Sequence, residues 1–272
     1  MSMNFTKKHM TCAGVLSCLG LMSSAAFAVG PTVDQFTPSE GQRTATFAET
    51  SSSPAAGGSS TPAVAFGSPI GFGLNFGQLA AGIGGQTLPN TAPNDFDGSM
   101  GLAAGLGNSI TSIGLEVTAN IISLRDNFAE DGSFNAKLHR MLNPTTSIAV
   151  GAESFGGWGA ARNARVSSFA AITTVINGEN GLPIVLNLGG GTNRFRSGYE
   201  TNGVGVFASV AIVPTDRISF IADFTGVDTN IAVSMVPVRQ FPVTLTLGVV
   251  NLAEREALTR EFAGGLGYLY RF

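Results

Sequence analysis

Long apolar runs and charged residues are both scarce in this chain. Hydrophobic residues make up 44% of its 272 residues, yet beyond the N-terminus they never form an uninterrupted run of about 18 or more. A membrane-spanning helix needs such a run, so this class of membrane protein is excluded for the remainder of the chain. Charged residues are only 12%, about half the usual ~25%, which is unusual for a soluble enzyme.

The N-terminus has the pattern of an export signal. Lys7 and Lys8 form a basic region, residues 12–21 are apolar, and Ala-Phe-Ala at 26–28 is typical of a cleavage site. We therefore predict that residues 1–28 are a cleaved signal peptide. The alternatives are an N-terminal membrane anchor and a lipoprotein with its cysteine at Cys18. The short apolar region without a stop-transfer flank disfavours the anchor, and apolar sequence that continues past Cys18 disfavours the lipoprotein.

Cleavage would leave a chain without cysteine. Both cysteines lie in the first 28 residues, so the mature chain has no thiol, disulfide or cysteine-based metal site. Removing Lys7 and Lys8 from the 15 basic residues leaves 13 against 18 acidic ones, a net charge of −5. This charge argues against nucleic acid as a partner. The glycine runs match no nucleotide-binding spacing, so the sequence predicts no cofactor. Asp126, Asn127, Glu130 and Asp131 could hold a divalent cation, but an ordinary solvated loop is favoured, so no metal is predicted.

Residues 29–62 are rich in Ser, Thr, Pro, Gly and Ala and contain few large apolar side chains. Such a segment cannot bury enough surface to offset the entropy lost on ordering. We predict a disordered periplasmic extension, with a plug inside the lumen of the following domain as the alternative. The rest of the chain, 63–272, is predicted to be one transmembrane domain.

Alternation of apolar residues with small or polar ones dominates from about residue 69 onward. It is clear at 113–121, 204–212 and 243–249, and period two is the signature of β-strands. Soluble β-sandwiches also alternate, but the connections here are short and long in turn, as in membrane barrels. We expect twelve strands, near 69–85, 99–106, 110–123, 133–141, 145–153, 166–177, 182–192, 203–213, 217–225, 229–236, 242–251 and 262–272.

The final strand ends on an aromatic residue. Leu266, Tyr268, Tyr270 and Phe272 share one face of it. This pattern resembles the C-terminal signature of the bacterial outer-membrane β-barrel class, with a porin-like member as the expected type. The resemblance implies an all-β, antiparallel, up-and-down transmembrane barrel in a Gram-negative-type envelope. It also implies outer-membrane lipid and the barrel-assembly machinery as partners, and export through the periplasm.

Strand parity predicts which side chains face the barrel interior. The inner set is mostly small or polar, and a twelve-stranded barrel lined this way cannot fill its own lumen. Water, an inward-folded loop or residues 29–62 must then occupy it. The charged or polar candidates could form a satisfied structural network or a selective constriction. These lumen-lining candidates are Glu116, Asn135, Lys137, His139, Glu153, Asp223 and Arg271.

Three functions are compatible with these patterns. The first is a porin-like channel for passive passage of small hydrophilic solutes. The second is a non-conducting structural or adhesin-like surface barrel. The third, a lipid hydrolase, would depend on His139, the one histidine of the mature chain, and no Gly-x-Ser-x-Gly motif accompanies it. The sequence therefore predicts no enzyme, and it leaves the oligomeric state open.

Overall fold

A computed structural model describes residues 61–87, 96–122, 124, 128–178, 181–196, 203–254 and 260–272. The predicted signal peptide and nearly all of the 29–62 extension lie outside these ranges. The described residues form a closed barrel of twelve antiparallel strands, as the alternation predicted. No helix within the described ranges has the length and apolarity needed to cross a membrane.

Each strand of the barrel pairs with its neighbours in sequence, and β1 closes the circle against β12. The closing register runs from Gln78 opposite Arg271 to Gln86 opposite Ala263. The strands are β1 (Gln78–Thr87), β2 (Phe96–Gly107), β3 (Gly114–Ile122), β4 (Asp131–Asn143), β5 (Thr146–Trp158), β6 (Ser167–Asn177), β7 (Pro183–Gly191), β8 (Gly205–Thr215), β9 (Ile218–Phe224), β10 (Thr229–Met235), β11 (Val243–Val250) and β12 (Glu261–Arg271).

The two ends of the barrel differ in their connections. The short-turn end carries Gln78, Arg271 and tight connections such as 144–145 and 216–217. The long-loop end carries the connections that follow β1, β3 and β5, among others. Because the strand number is even, both termini of the barrel lie at the short-turn end.

The outer face of the sheet is apolar and uncovered. Val206 is 57% exposed and Phe220 is 52% exposed, with no second layer of protein against them among the described residues. Their neighbours in sequence, including Phe207 and Ile221, point inward and are buried. Parity therefore assigned these faces correctly. The exposed apolar set also includes Leu79, Ile83, Leu102, Leu138, Ile148, Ile172, Leu186, Leu188, Val210, Ile212, Ile231, Leu247 and Leu266.

One predicted strand is wrong over half of its length. The first strand begins at Gln78, and residues 69–77 do not belong to the sheet. Gly77 has a φ of +87° and separates the two parts. Ile70, Phe72 and Leu74 alternate with other residues in the sequence as strand residues do, but they lie inside the barrel and outside the sheet.

Candidate functional site: the occupied lumen

We call residues 61–76 the lumen segment; residues 61–75 are buried in the interior of the barrel, and Phe76, where the segment leaves the barrel, is 71% exposed. Phe66, Ile70, Phe72 and Leu74 are each at most 1% exposed. The last two residues of the predicted extension, Thr61 and Pro62, are part of it and are buried. The main occupant of the lumen is therefore the segment directly before β1, which was not among the three predicted occupants apart from Thr61 and Pro62. The plug prediction for residues 29–60 lies outside the described residues.

The lumen segment starts at the short-turn end, against β9, β10 and β11. The hydroxyl of Thr244 donates to the carbonyl of Thr61 at 3.2 Å. The N–H of Ala63 donates to the Ser234 hydroxyl at 2.9 Å, and the Ser219 hydroxyl donates to the Ala63 carbonyl. All three partners are inward-facing hydroxyl side chains of the barrel wall. They satisfy backbone groups that have no ladder partner.

The segment reverses direction at Gly67 and Ser68, beside Asp223. The carboxyl group of Asp223 accepts from the N–H of Phe66 at 2.8 Å, from the N–H of Ser68 at 3.2 Å and from the Ser68 hydroxyl. Gly67 has a φ of +127°, and a Cβ there would press on Thr225. The reversal therefore requires glycine at this position.

From the reversal the chain returns along β7, β6 and β5. The side-chain amide of Asn187 donates to the carbonyl of Pro69 at 3.1 Å. The N–H of Gly71 donates to the Thr173 hydroxyl at 2.7 Å, and the Ser147 hydroxyl donates back to the Gly71 carbonyl at 2.6 Å. A Cβ on Gly71 would collide with the Ser147 carbonyl, so the close approach to the wall depends on glycine.

Three predicted lumen residues hold the end of the segment. Glu116 accepts from the N–H of Leu74 at 2.8 Å and pairs with Lys137 at 3.1 Å. His139 donates from Nε2 to the carbonyl of Leu74 at 2.9 Å. Glu116, Lys137 and His139 are all buried. They form a hydrogen-bonded network around the segment, as in the structural alternative predicted for these charges, although Nδ1 of His139 has no hydrogen-bond partner among the described residues.

A turn from the long-loop end also enters the lumen. Residues 193–196, which we call the inward turn, follow β7 and include a short 3-10 helix. Arg194 pairs with the buried Glu153 and donates from Nη1 to the carbonyl of Gly67 at 3.3 Å. Phe195 is fully buried, and its ring centroid lies 4.8 Å from that of Phe207. The inward turn therefore contacts both the wall and the reversal of the lumen segment.

Two further lumen candidates are less enclosed. Asn135 is half-buried, and its side-chain oxygen accepts from the N–H of Ser154 at 2.9 Å, so it braces β5. Arg271 is half-buried at the short-turn end, opposite Gln78 in the closing register. None of the hydrogen bonds described above joins Asn135 or Arg271 to the lumen segment.

The predicted assembly residues lie on the outside. Leu266, Tyr268, Tyr270 and Phe272 are all exposed along the outer face of β12. The N–H of Phe272 donates to the carbonyl of Gly77 at 3.0 Å, and its ring lies edge-on to Phe76 at 6.0 Å. The last residue of the chain thus meets the point where the lumen segment leaves the barrel.

An apolar part of the inner wall was missed. The prediction emphasised small and polar lining residues, whereas β6 to β10 present inward valines, alanines and an isoleucine that pack against the lumen segment. The signal for this surface is the continuous apolar run 210–213, over which neither face of β8 is polar. The residues of this cluster in the wall include Val175, Val185, Ala211, Val213, Ile221 and Ala232.

The site as a whole binds polypeptide backbone and apolar side chains. Within the described residues, no group of His, Cys, Asp and Glu side chains could hold a metal ion. No family model matches the chain, and no curated protein matches it.

Proposed function

We propose that the protein is a bacterial outer-membrane β-barrel that crosses the lipid with its twelve strands. The outward, exposed apolar face supports this, because a soluble protein rarely leaves so large a contiguous apolar surface open to water. The aromatic residues at the end of β12 suit a lipid interface. Export through the periplasm and assembly by the barrel-assembly machinery belong to the same proposal.

Cell fractionation and gel mobility test this placement. We expect the mature protein in the outer-membrane fraction, and we expect unheated and heated samples to migrate differently. Recovery as a soluble periplasmic protein, with no lipid requirement for folding, would contradict the proposal.

We further propose that the barrel is closed at rest. Its lumen becomes a porin-like channel only when the lumen segment has left the interior. The observation that carries this is the complete burial of Phe66, Ile70 and Phe72 inside the lumen. The inner wall also presents small polar side chains, among them Thr173 and Ser209, which would line water if the segment left. Small hydrophilic solutes would then be the substrates of passive passage.

Planar-bilayer conductance distinguishes the closed barrel from the open one. We expect the native mature chain to be silent for most of the recording. A variant in which residues 61–76 are replaced by a Gly-Ser linker of equal length should show steady conducting steps. Heat-dependent mobility verifies that the variant is folded. A folded but silent variant would leave the protein as a structural or adhesin-like barrel, and a steadily conducting native chain would refute closure.

We propose no enzymatic activity for this barrel. A hydrolase would need His139 accessible, but its ring is 2% exposed and its Nε2 is engaged by the Leu74 carbonyl. Lipid or peptide turnover, if any is measured, should be unchanged in a His139→Ala variant. A loss of turnover in that variant would contradict this proposal.

A further inference from the structure

We infer that the lumen is a binding site for an extended apolar polypeptide, and that residues 61–76 are its intramolecular occupant. This inference rests on the proposed membrane barrel and adds the chemical class of its ligand. It predicts that a polypeptide supplied from outside can take the same place once the covalent connection at Gly77 is cut.

The first argument is what the wall recognises. Main-chain N–H and carbonyl groups of the segment are matched by wall side chains from one end of the path to the other. Asp223 accepts from the N–H groups of residues 66 and 68, and the amide of Asn230 donates to the carbonyl of Phe66 at 3.0 Å. Main-chain groups recur in any polypeptide, so these bonds recognise extended backbone as a class. A small solute would supply no such repeat.

The second argument is the fit of the apolar side chains. Phe66, Ile70 and Phe72 pack in one cluster with inward residues of β6 to β10, such as Val185 and Ala211. Removing the segment would expose this apolar wall to water. The wall carboxyl and amide groups would at the same time lose their backbone partners, so an empty lumen is less favourable than an occupied one.

The third argument is the route of the segment. Thr61 lies near Thr244 and Asn75 lies near Ser109, so both ends of the segment are at the short-turn end. The reversal at Gly67 lies deeper, beside Arg194. A polypeptide can therefore enter as a loop from one end of the barrel and need not be threaded through it.

A split form of the full mature chain tests the inference. A protease recognition sequence is inserted between Gly77 and Gln78, close to the exposed Phe76, and is cut after the barrel has folded. The N-terminal fragment is then held by lumen contacts alone. We expect it to stay with the barrel through gel filtration in detergent. An excess of a labelled synthetic peptide of residues 61–76 should replace it.

A matched control peptide carries serine in place of Phe66, Ile70 and Phe72. Its affinity should be lower by at least about 100-fold, since three large apolar side chains no longer fill their places. An Asn187→Ala wall variant should bind the native peptide more weakly, while a Thr145→Ala variant, altered in an exposed turn, should bind it normally.

The outcomes separate the two proposals. If the fragment leaves, conductance rises and the native peptide neither rebinds nor blocks it, the inference is wrong and the closed channel stands. If the peptide binds but conductance never changes, the polypeptide site stands and the channel is wrong. Equal binding of native and control peptides would also overturn the inference. If the inserted site is not cut, the labelled peptide is instead added to the Gly-Ser-linker variant, with the same expected results.

Discussion

Replacement of Asp223 by alanine should open the barrel. The Asp223 carboxyl accepts three hydrogen bonds from the reversal of the lumen segment, two from N–H groups and one from the Ser68 hydroxyl. Truncation leaves the two buried N–H groups without that partner, whereas the Ser68 hydroxyl can still donate to the Phe224 carbonyl at 3.2 Å. No other single wall side chain described above makes so many hydrogen bonds to the lumen segment. Loss of the Asp223 carboxyl should therefore mainly weaken the docking of this segment.

The magnitude follows from the cost of an unpaired buried donor, about 1–3 kcal/mol each. Water entering the space left by the carboxyl group would recover part of this, so we take the low end for each of the two N–H groups, about 2 kcal/mol together. Since about 1.4 kcal/mol is a factor of ten, the undocked population should rise by about 30-fold. Asp223→Asn keeps an acceptor oxygen and should show a smaller rise.

Single-channel recording in a planar bilayer measures the open fraction of native, Asp223→Ala and Asp223→Asn chains under one set of conditions. Asp216→Asn is the matched control, because that carboxylate pairs with Arg239 at 2.9 Å on the exposed short-turn end. We expect it to behave as the native chain does. A well-folded Asp223→Ala barrel that is as silent as the native protein would refute the idea that these bonds hold the lumen closed.

Three further predictions concern the ion pair, the outer face and the chain end. Arg194→Ala leaves Glu153 buried without its cation and should lower the free energy of unfolding in urea by about 3–5 kcal/mol, whereas Arg194→Met with Glu153→Leu should recover most of it. Leu188→Arg, in the middle of the outer face of β7, should cost about 2–4 kcal/mol on folding into lipid vesicles; a cost near zero would count against lipid contact. Phe272→Ser should reduce the heat-modifiable fraction in the outer membrane several-fold, while Phe241→Ser, an equally exposed aromatic in a turn, should not.

Strand positions and faces were readable from the sequence because a strand alternates its side chains strictly. Once one face is apolar, every residue of the strand is assigned a side by parity alone. Val206 and Phe220 therefore point outward and Phe207 and Asp223 inward, as predicted. For the same reason, the eleven strands after the first lie within a few residues of their predicted positions.

The interior could not be read in this way. Residues 69–77 alternate like a strand, but alternation reports only an extended backbone and not the partner of that backbone. The backbone at Leu79 pairs with strands β2 and β12, whereas the backbone of Gly71 is hydrogen-bonded to the side-chain hydroxyl groups of Thr173 and Ser147. No local pattern distinguishes these two cases.

By itself, the sequence determined that the chain makes twelve amphipathic strands with apolar outer faces and an aromatic end, since each of these is a local or periodic property. Only closure of the barrel decided what fills it. Closure brings Asp223 to Ser68 and Arg194 to both Glu153 and Gly67, pairs far apart along the chain. Their buried polar groups must find partners in three dimensions, and the lumen segment and the inward turn supply them.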